Sequence, residues 1–253
     1  MLFGDNEALS TLVSAPDIVP VMPQSPGKTC RPLGSQFCGA LSGGEGGCDG
    51  PPTAHRFTAA RRNIYRAGES SDGVPVICEG WAVRFFQLPN GKRQILSVLL
   101  PGELVSASAI FERQFPFSIQ AVTEVRHCLL PYARVRARLQ QDADLLDCWF
   151  RLSAAEYHDA DKRLVDLGQR TAQERIAALI LHLLLRFQDR DEVVDDEFPF
   201  PMSQQQIADF TGLTPVHTCR VLSQLRKNAI CDISHGTAKV IDRDELQRLA
   251  AIK

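Results

Sequence analysis

The cysteines of this chain are numerous enough to suggest a chemical role for their thiols. The 253 residues include eight of them. The first ten residues, MLFGDNEALS, hold no basic side chain and the first lysine is Lys28, so we expect no signal peptide and a cytoplasmic protein. No apolar run approaches the roughly 20 residues that span a bilayer. Thiols in such a protein stay reduced, which favours metal, cluster or redox roles over disulfides.

The end of the chain has the pattern of two short helices. Ser203 is suited to cap a first helix, Gln204–Thr211, and Gly212 follows it as the turn residue. Thr214 is suited to cap a second helix with Pro215 at its first position. Two short helices with a glycine between them are typical of a helix-turn-helix, whose second helix enters the major groove of DNA. The stretches Ile230–Ser234 and Lys239–Ile241 flank His235-Gly236-Thr237 and predict a hairpin wing behind it.

The second of these helices presents one face that could touch DNA. Val216, Arg220 and Ser223 share this face, and a guanidinium can bond bidentately to guanine, so we assign Arg220 to a base edge. The alternative for Arg220 is a contact to phosphate only. Cys219 precedes it, and a neighbouring cation favours the reactive thiolate, so oxidation of this thiol is expected to block DNA binding. The residues predicted to contact DNA are Thr214, Pro215, Val216, His217, Cys219, Arg220, Ser223, Arg226 and Lys227.

Charge agrees with a local DNA-binding face. The whole chain has a formal charge of −2, which excludes a generally basic nucleic-acid coat. Residues 198–253 nevertheless carry two more basic than acidic side chains. A helical protein-interaction module is the alternative from another class.

A long helix precedes this region. From about Asp142 apolar and small residues recur at alternating steps of four and three, which is a heptad stripe facing a partner helix. We expect a homodimer through this stripe; the alternative is a helix packed on its own chain. The stripe comprises Leu146, Phe150, Ser153, Tyr157, Ala160, Leu164 and Leu167. A second amphipathic helix is predicted over Thr171–Phe187, with Thr171 to Glu174 as its cap.

Short strands fill the part of the chain before the long helix. The runs Val74–Glu79, Trp81–Leu88 and Arg93–Leu100 are apolar, and Pro89-Asn90-Gly91 between the last two predicts a hairpin turn. Ser118–Thr123 and Val125–Pro131 continue the pattern, which is typical of an antiparallel barrel or roll. Residues 1–52 hold nine glycines, seven prolines and three cysteines, so this arm is expected to be mobile unless a ligand ties it together.

This order of parts resembles the CRP/FNR superfamily of bacterial transcription regulators over about residues 56–250. The segments that carry the resemblance are LLPGEL (99–104), QERIA (173–177), IADFTGLT (207–214) and TCRVL (218–222). The resemblance implies an α+β fold: a flexible arm over residues 1–55, a cyclic-nucleotide-binding-like β-roll (jelly roll) over 56–138, a dimerisation helix over 139–168 and a winged helix-turn-helix over 169–253. Members of the FNR type carry Glu and Ser where this sequence has Val216 and Cys219, so a different half-site is expected.

The resemblance also suggests effectors. Its cyclic-nucleotide binders clamp the phosphate with an Arg-Ser pair, for which an arginine offers charge-assisted bonds. The matching stretch is Phe115-Pro116-Phe117-Ser118 and Arg113 lies off-register, which argues against cyclic AMP.

The FNR branch instead binds a [4Fe–4S] cluster, and the resemblance places its ligands at Cys30, Cys38 and Cys128. The position of a further ligand is Gly27, for which Cys48 is the substitute. Zinc on the same four thiolates and free or directly oxidised thiols are the alternatives.

The sequence thus predicts a homodimeric, sequence-specific regulator of transcription that responds to oxygen or redox state. The alternative is a regulator without a cofactor, controlled by thiol oxidation or by its abundance. The expected partners are a pseudo-palindromic duplex and, from the resemblance, RNA polymerase, which an activator would contact. No catalytic motif such as His-Glu-x-x-His or Gly-x-Ser-x-Gly is present, so we expect no enzyme.

Overall fold

The computed structural model describes residues 55–111 and 113–251 of the chain. The predicted arm, with Cys30, Cys38 and Cys48, therefore lies outside the described residues apart from His55.

Two antiparallel sheets make up the first part of the described chain, which we call the roll. One sheet has the strand order β1-β7-β3 and the other β2-β6-β4-β5. The strands are β1 (Arg56–Thr58), β2 (Asn63–Tyr65), β3 (Gly73–Glu79), β4 (Ala82–Gln87), β5 (Arg93–Leu99), β6 (Ser118–Ala121) and β7 (Val125–Pro131). Five of them coincide with the predicted runs to within two residues at each end. The short strands β1 and β2 were not predicted.

Turn chemistry fixes the register of these strands. Between β4 and β5 the Asn90 side chain accepts a hydrogen bond from Lys92 N, and Gly91 has φ +83°, as the predicted hairpin requires. Gly80, between β3 and β4, has φ +80°, and a Cβ there would lie 1.9 Å from the Glu124 carbonyl oxygen. Only glycine fits this turn.

The two faces of the four-stranded sheet are both covered. Its inner face contributes Ala82, Leu99 and Ile119 to a core shared with the three-stranded sheet. Its outer face contributes Val83, Phe85 and Ile95 to a second core shared with the helices that follow. Strands buried on both faces carry near-continuous apolar runs, as β4 and β5 do.

Three helices follow the roll. They are α1 (Tyr132–Gln141), α2 (Ala143–Gln169) and α3 (Ala172–Gln188), and a 3-10 turn at Ala107–Ile110 packs beside α2. The long helix predicted over 139–168 is therefore α2 preceded by a separate α1. Asp142 separates them, because its extended backbone ends α1 and its side chain accepts from Leu145 N to cap α2.

The remaining elements form the part that we call the reader. It contains β8 (Glu197–Pro199), α4 (Gln204–Thr211), α5 (Pro215–Lys227), β9 (Cys231–Ser234), β10 (Thr237–Val240) and α6 (Arg243–Ala250). The strand order β8-β10-β9 forms a small antiparallel sheet beside the two helices. Helices α4 and α5 begin at the predicted residues, and the β9–β10 hairpin lies where the wing was predicted. Helix α6 was not predicted.

Candidate nucleic-acid interface

Local capping fixes where both helices of the reader begin. The Ser203 side chain accepts from Gln206 N while the Gln206 side chain accepts from Ser203 N, so α4 starts with a reciprocal capping box. The Thr214 hydroxyl accepts from His217 N at 3.3 Å, and Pro215 is the first residue of α5. The sequence alone predicted both starts.

The turn between these helices depends on Gly212. This residue ends α4 with φ +67°, in the left-handed region that glycine enters without steric cost. A Cβ added here would approach Leu167 of α2 to 3.0 Å. The turn therefore packs closely against the end of α2. A shift of this end of α2 would move the turn that precedes α5.

One face of α5 is buried and the opposite face is open. Val221 and Leu225 are buried in the core that includes Ile207 and Phe210 of α4. Val216 is 64% exposed. The other side chains of the predicted DNA contacts are exposed too, except for the half-buried Pro215. Helix α5 thus presents the predicted contact face to solvent while its apolar face holds it in the reader.

The basic residues of α5 differ in their partners. Arg226 donates from Nε to Asp232 Oδ1 at 2.6 Å and from Nη2 to the Ile233 carbonyl oxygen at 3.3 Å, so the wing already engages it. Arg220 and Lys227 are exposed, and neither forms a salt bridge within the described residues. A phosphate contact by Arg226 would compete with its pair to Asp232.

The described cysteines differ sharply in exposure. Cys219 is exposed on α5, whereas Cys231 is buried at the wing, where burial raises the pKa of its thiol to about 12. Cys128, the predicted fourth cluster ligand, is 1% exposed in the roll core and lies opposite Val76 of β3. Among the described residues no group of three or more His, Cys, Asp or Glu side chains could hold a metal ion. The described part of the chain therefore supplies one thiol of the predicted four and does not form a cluster site by itself.

An apolar stripe runs along the outside of α2. Phe150, Tyr157 and Leu164, spaced by seven residues, are 64%, 71% and 70% exposed. Leu146 and Ala160 of the predicted seam are also exposed, while Ser153 and Leu167 are half-buried. On the other side of the helix Leu145 and Trp149 are buried against the roll. The chain itself covers one side of α2 and leaves the predicted stripe open.

The stretch that a cyclic-nucleotide phosphate would meet is occupied by the chain's own groups. Phe117 is buried, and the Arg84 guanidinium from β4 lies 4.9 Å from the centre of its ring. Arg84 Nη1 donates to the Val105 carbonyl oxygen and lies 3.6 Å from the Glu156 carboxylate of α2. Glu156 in turn accepts from Ala107 N at 2.9 Å.

Glu103, from the LLPGEL segment of the roll, joins the roll to α3 and to the turn that follows it. Its carboxylate accepts from Arg186 at 2.6 Å and from Arg190 at 2.6 Å, and also from Leu100 N at 3.0 Å. Burial lowers the pKa of the Arg190 guanidinium, while Glu103 opposes that shift. Arg186 lies in the last turn of α3 and Arg190 in the turn just after the helix, and their spacing of four residues was the sequence signal for such a clamp.

Two family models match separate parts of the chain. A cyclic nucleotide-binding domain matches residues 55–142, and a Crp-like helix-turn-helix domain matches residues 174–249. These ranges cover the roll with α1 and the reader with α3.

Among the helices of the described residues, none combines the length and the apolar character that crossing a membrane requires.

Curated relatives and solved structures agree with these models. The nitrogen fixation regulation protein FixK of Bradyrhizobium diazoefficiens is 31% identical over 179 residues, 69% of this chain and 73% of that protein. The transcriptional activator protein Anr of Pseudomonas aeruginosa is 28% identical over 187 residues, 74% of this chain and 76% of that protein. The structure of FixK2 from Bradyrhizobium japonicum superposes with a TM-score of 0.69 at 24% identity, covering 79% of this chain and 98% of FixK2. The predicted fold class is confirmed.

Proposed function

This chain belongs to the CRP/FNR family of transcription regulators, and we propose that it acts as a homodimer that recognises a pseudo-palindromic operator. As a member, it is an activator-type regulator with a DNA-binding helix-turn-helix. The observation that carries the proposal is the open face of α5, where Arg220 has no salt-bridge partner among the described residues. Two copies of such a helix, one per protomer, would enter successive major grooves.

The exposed stripe on α2 supports the homodimer. Three large apolar side chains at heptad spacing lie in solvent on one side of a 27-residue helix. Burying Phe150, Tyr157 and Leu164 against a second copy would remove this surface from water and set the distance between two copies of α5. RNA polymerase would be the further partner, as expected for an activator, and the cytoplasm the place of action.

Selection of duplexes from a random pool tests DNA recognition directly. We expect the full chain to enrich a pseudo-palindrome whose half-sites lie about one helical turn apart. Fluorescence anisotropy on the enriched duplex and on scrambled DNA then gives the specificity ratio at a stated salt concentration. Equal affinity for both duplexes would contradict a regulator and favour a protein-interaction module.

We propose that the protein responds to oxygen or redox state. The cysteines that sense this signal have two candidate locations. One is the set Cys30, Cys38, Cys48 and Cys128, and the other is Cys219 alone. Relatives are named for nitrogen fixation regulation and, in Vibrio cholerae, for fumarate and nitrate reduction, so genes of that kind are the proposed targets. The exposure of Cys219 beside Arg220 supports the second location. There, oxidation would add bulk and charge to the DNA-contacting face.

Anaerobic purification separates these two locations. A brown protein with iron and sulfide, bleaching in air, would favour the cysteine set, and Cys128→Ser should then lose the colour. A colourless protein that binds DNA only when reduced would favour Cys219. In that case Cys219→Ala should keep full DNA affinity after peroxide treatment, whereas the control Cys231→Ala should lose it like the wild type.

Cyclic AMP is not the proposed effector. The stretch Phe115–Ser118 has no arginine for a phosphate clamp, and the Arg84 guanidinium beside it is engaged by the Phe117 ring and the Glu156 carboxylate. We expect that millimolar cyclic AMP changes neither the thermal midpoint nor the DNA affinity of the chain. A rise of several degrees in the thermal midpoint would contradict this expectation.

A further inference from the structure

The outer face of the four-stranded sheet is a docking surface for the reader. Val83, Phe85 and Ile95 point outward from β4 and β5 and are fully buried. They belong to one continuous core with Ile207 and Phe210 of α4. Roll and reader therefore share apolar packing and do not meet only through the helix that connects them.

A row of aromatic rings continues this contact. Trp81 of the roll stacks on Phe187 of α3 with ring centres 5.5 Å apart, and Phe187 contacts Phe198 of β8 at 5.6 Å. Phe198 in turn meets Phe200 edge-on at 6.2 Å. The row leads from the β3–β4 turn of the roll to the small sheet of the reader, so it holds the two parts at one end of their border.

Polar bonds hold the other end of the border. Arg93 of β5 donates to Asp209 Oδ2 of α4 from Nε at 2.9 Å and from Nη2 at 2.6 Å. Arg93 Nη1 donates to Gln120 Oε1 at 3.0 Å, which fixes the guanidinium on the sheet. Next to it, Gln94 Nε2 donates to the Phe210 carbonyl oxygen at 2.9 Å.

The Arg93–Asp209 ion pair is largely shielded from solvent and held in one orientation. The Asp209 side chain is 9% exposed and that of Arg93 20% exposed. The second carboxylate oxygen of Asp209 accepts from Gln205 Nε2 at 2.7 Å, so both oxygens are engaged. Charge-assisted hydrogen bonds in such a setting are stronger and more directional than exposed ion pairs.

What holds α4 also holds the DNA-contacting helix. Gly212 and Leu213 separate α4 from Thr214, the cap of α5, and the apolar faces of the two helices are packed together in one core. A rigid bond between the roll and α4 therefore restricts the direction in which α5 points. In a dimer it also restricts the distance between the two copies of α5.

We propose that Arg93 and Asp209 are positioning residues for DNA recognition: their ion pair across the border fixes the reader on the roll before DNA binds. The inference rests on the proposed recognition of a two-half-site operator. A reader ordered in advance loses less conformational freedom on binding, which increases affinity for operators of one spacing. Operators of other spacings would require the border to open.

Charge reversal tests the pair. Arg93→Asp and Asp209→Arg should each weaken binding to the selected operator by about tenfold, the loss of roughly one such bond. The double variant Arg93→Asp/Asp209→Arg should recover most of the wild-type affinity. Lys92→Asp changes the neighbouring charge on the same hairpin without contacting Asp209, and it should bind like the wild type.

Half-site spacing distinguishes positioning from simple stability. One inserted base pair moves a half-site by about 3.4 Å and turns it by roughly 35°. The wild type and the double variant should reject this operator, while each single variant should lose most of that discrimination. If the single variants lose affinity equally on both operators, or if the double variant is not rescued, the inference is wrong.

Hydrogen exchange of the free protein tests the border without DNA. The single variants should exchange faster than the wild type over Arg93–Leu99 and Gln204–Thr211, and no faster over α1. Absence of sequence-specific binding by the wild type would refute the proposed function, while the exchange data would still decide whether the pair holds the border. If either single variant fails to fold, Arg93→Gln repeats all measurements without a reversed charge.

Discussion

At the scale of single residues, Arg220 is the residue that we propose for sequence recognition. It is exposed on α5 and has no salt-bridge partner within the described residues, whereas Arg226 on the same helix is engaged by Asp232. A side chain without competing partners can bond to a base edge at little cost.

We predict that Arg220→Ala weakens binding to the selected operator by about 1–3 kcal/mol and relaxes specificity at one base pair. Lys227→Ala is the matched control, since loss of a phosphate contact should weaken all duplexes alike and reduce the salt slope by about one. Anisotropy titrations on the operator and on its single-base variants measure both effects. Uniform weakening by Arg220→Ala would make Arg220 a phosphate contact.

His127 gives a second prediction at this scale. It is buried on β7, its Nδ1 has no hydrogen-bond partner among the described residues, and burial together with Arg56 lowers its pKa from 6.5 to about 4. The unfolded chain therefore takes up this proton first, so the contribution to stability is complete above pH 6.5. It is lost as the pH falls towards 4, by at most about 3 kcal/mol.

Urea unfolding between pH 7 and pH 4 measures this loss. His127→Phe should flatten the pH dependence of the unfolding free energy relative to the wild type. Parallel curves for the wild type and His127→Phe would show that His127 does not titrate differently on folding.

At the scale of elements, caps and apolar faces determine what each helix does. The capping boxes at Thr171 and Ser203 were visible in the sequence and fix the starts of α3 and α4. Helix α2 is different, because it buries Leu145 and Trp149 against the roll and leaves a second apolar stripe in solvent. We propose that a second copy of the chain covers this second apolar side.

We predict that Tyr157→Glu converts a dimer into a monomer at micromolar concentration. In a symmetric interface each substitution acts twice, and it places two carboxylates opposite each other. Val194→Glu is the control, because Val194 is 69% exposed and lies before β8, where it forms a β-bridge with Glu197. Sedimentation velocity of the two variants measures the effect. A wild type that is itself monomeric, or a dimeric Tyr157→Glu, would contradict the stripe as the interface.

At the scale of the whole molecule, the two cores meet on the four-stranded sheet. Trp81 is buried in the core that joins roll, α3 and reader, and Trp149 in the core between the sheets, α1 and α2. Strands β4 and β5 supply side chains to both cores from opposite faces. Unfolding of one core therefore exposes to solvent one face of the sheet that the other core needs.

We predict that roll and reader unfold in one transition. The chain has two tryptophans, so Trp81→Phe and Trp149→Phe each leave a single fluorescent reporter in one core. Within each variant, the midpoint from fluorescence should coincide with that from circular dichroism. Two separated midpoints would show that the border between roll and reader opens on its own.

Most elements of this fold could be predicted from local patterns. The hairpin at Asn90-Gly91, the caps of α3, α4 and α5 and the exposed face of α5 depend on residues a few positions apart. The family resemblance then supplied the order of the parts. Strands β1 and β2 and helix α6 escaped prediction because they are short and their pairing or packing partners stabilise them. Helix α1 was not predicted either, because residues 132–138 were assigned to the roll and residues 139–141 to the dimerisation helix.

The sequence by itself determined most of the elements and which face of α5 is open to solvent, because caps, turns and helical periodicity act over a few residues. The border between roll and reader was decided only by the tertiary structure. Arg93 and Asp209 are 116 positions apart, and nothing in either local pattern pairs them. The apolar runs of β4 and β5 predicted strands of a roll, but not that the reader and α3 cover their outer face. Such partners are selected by the complementary shape and charge of surfaces whose residues are far apart in the sequence.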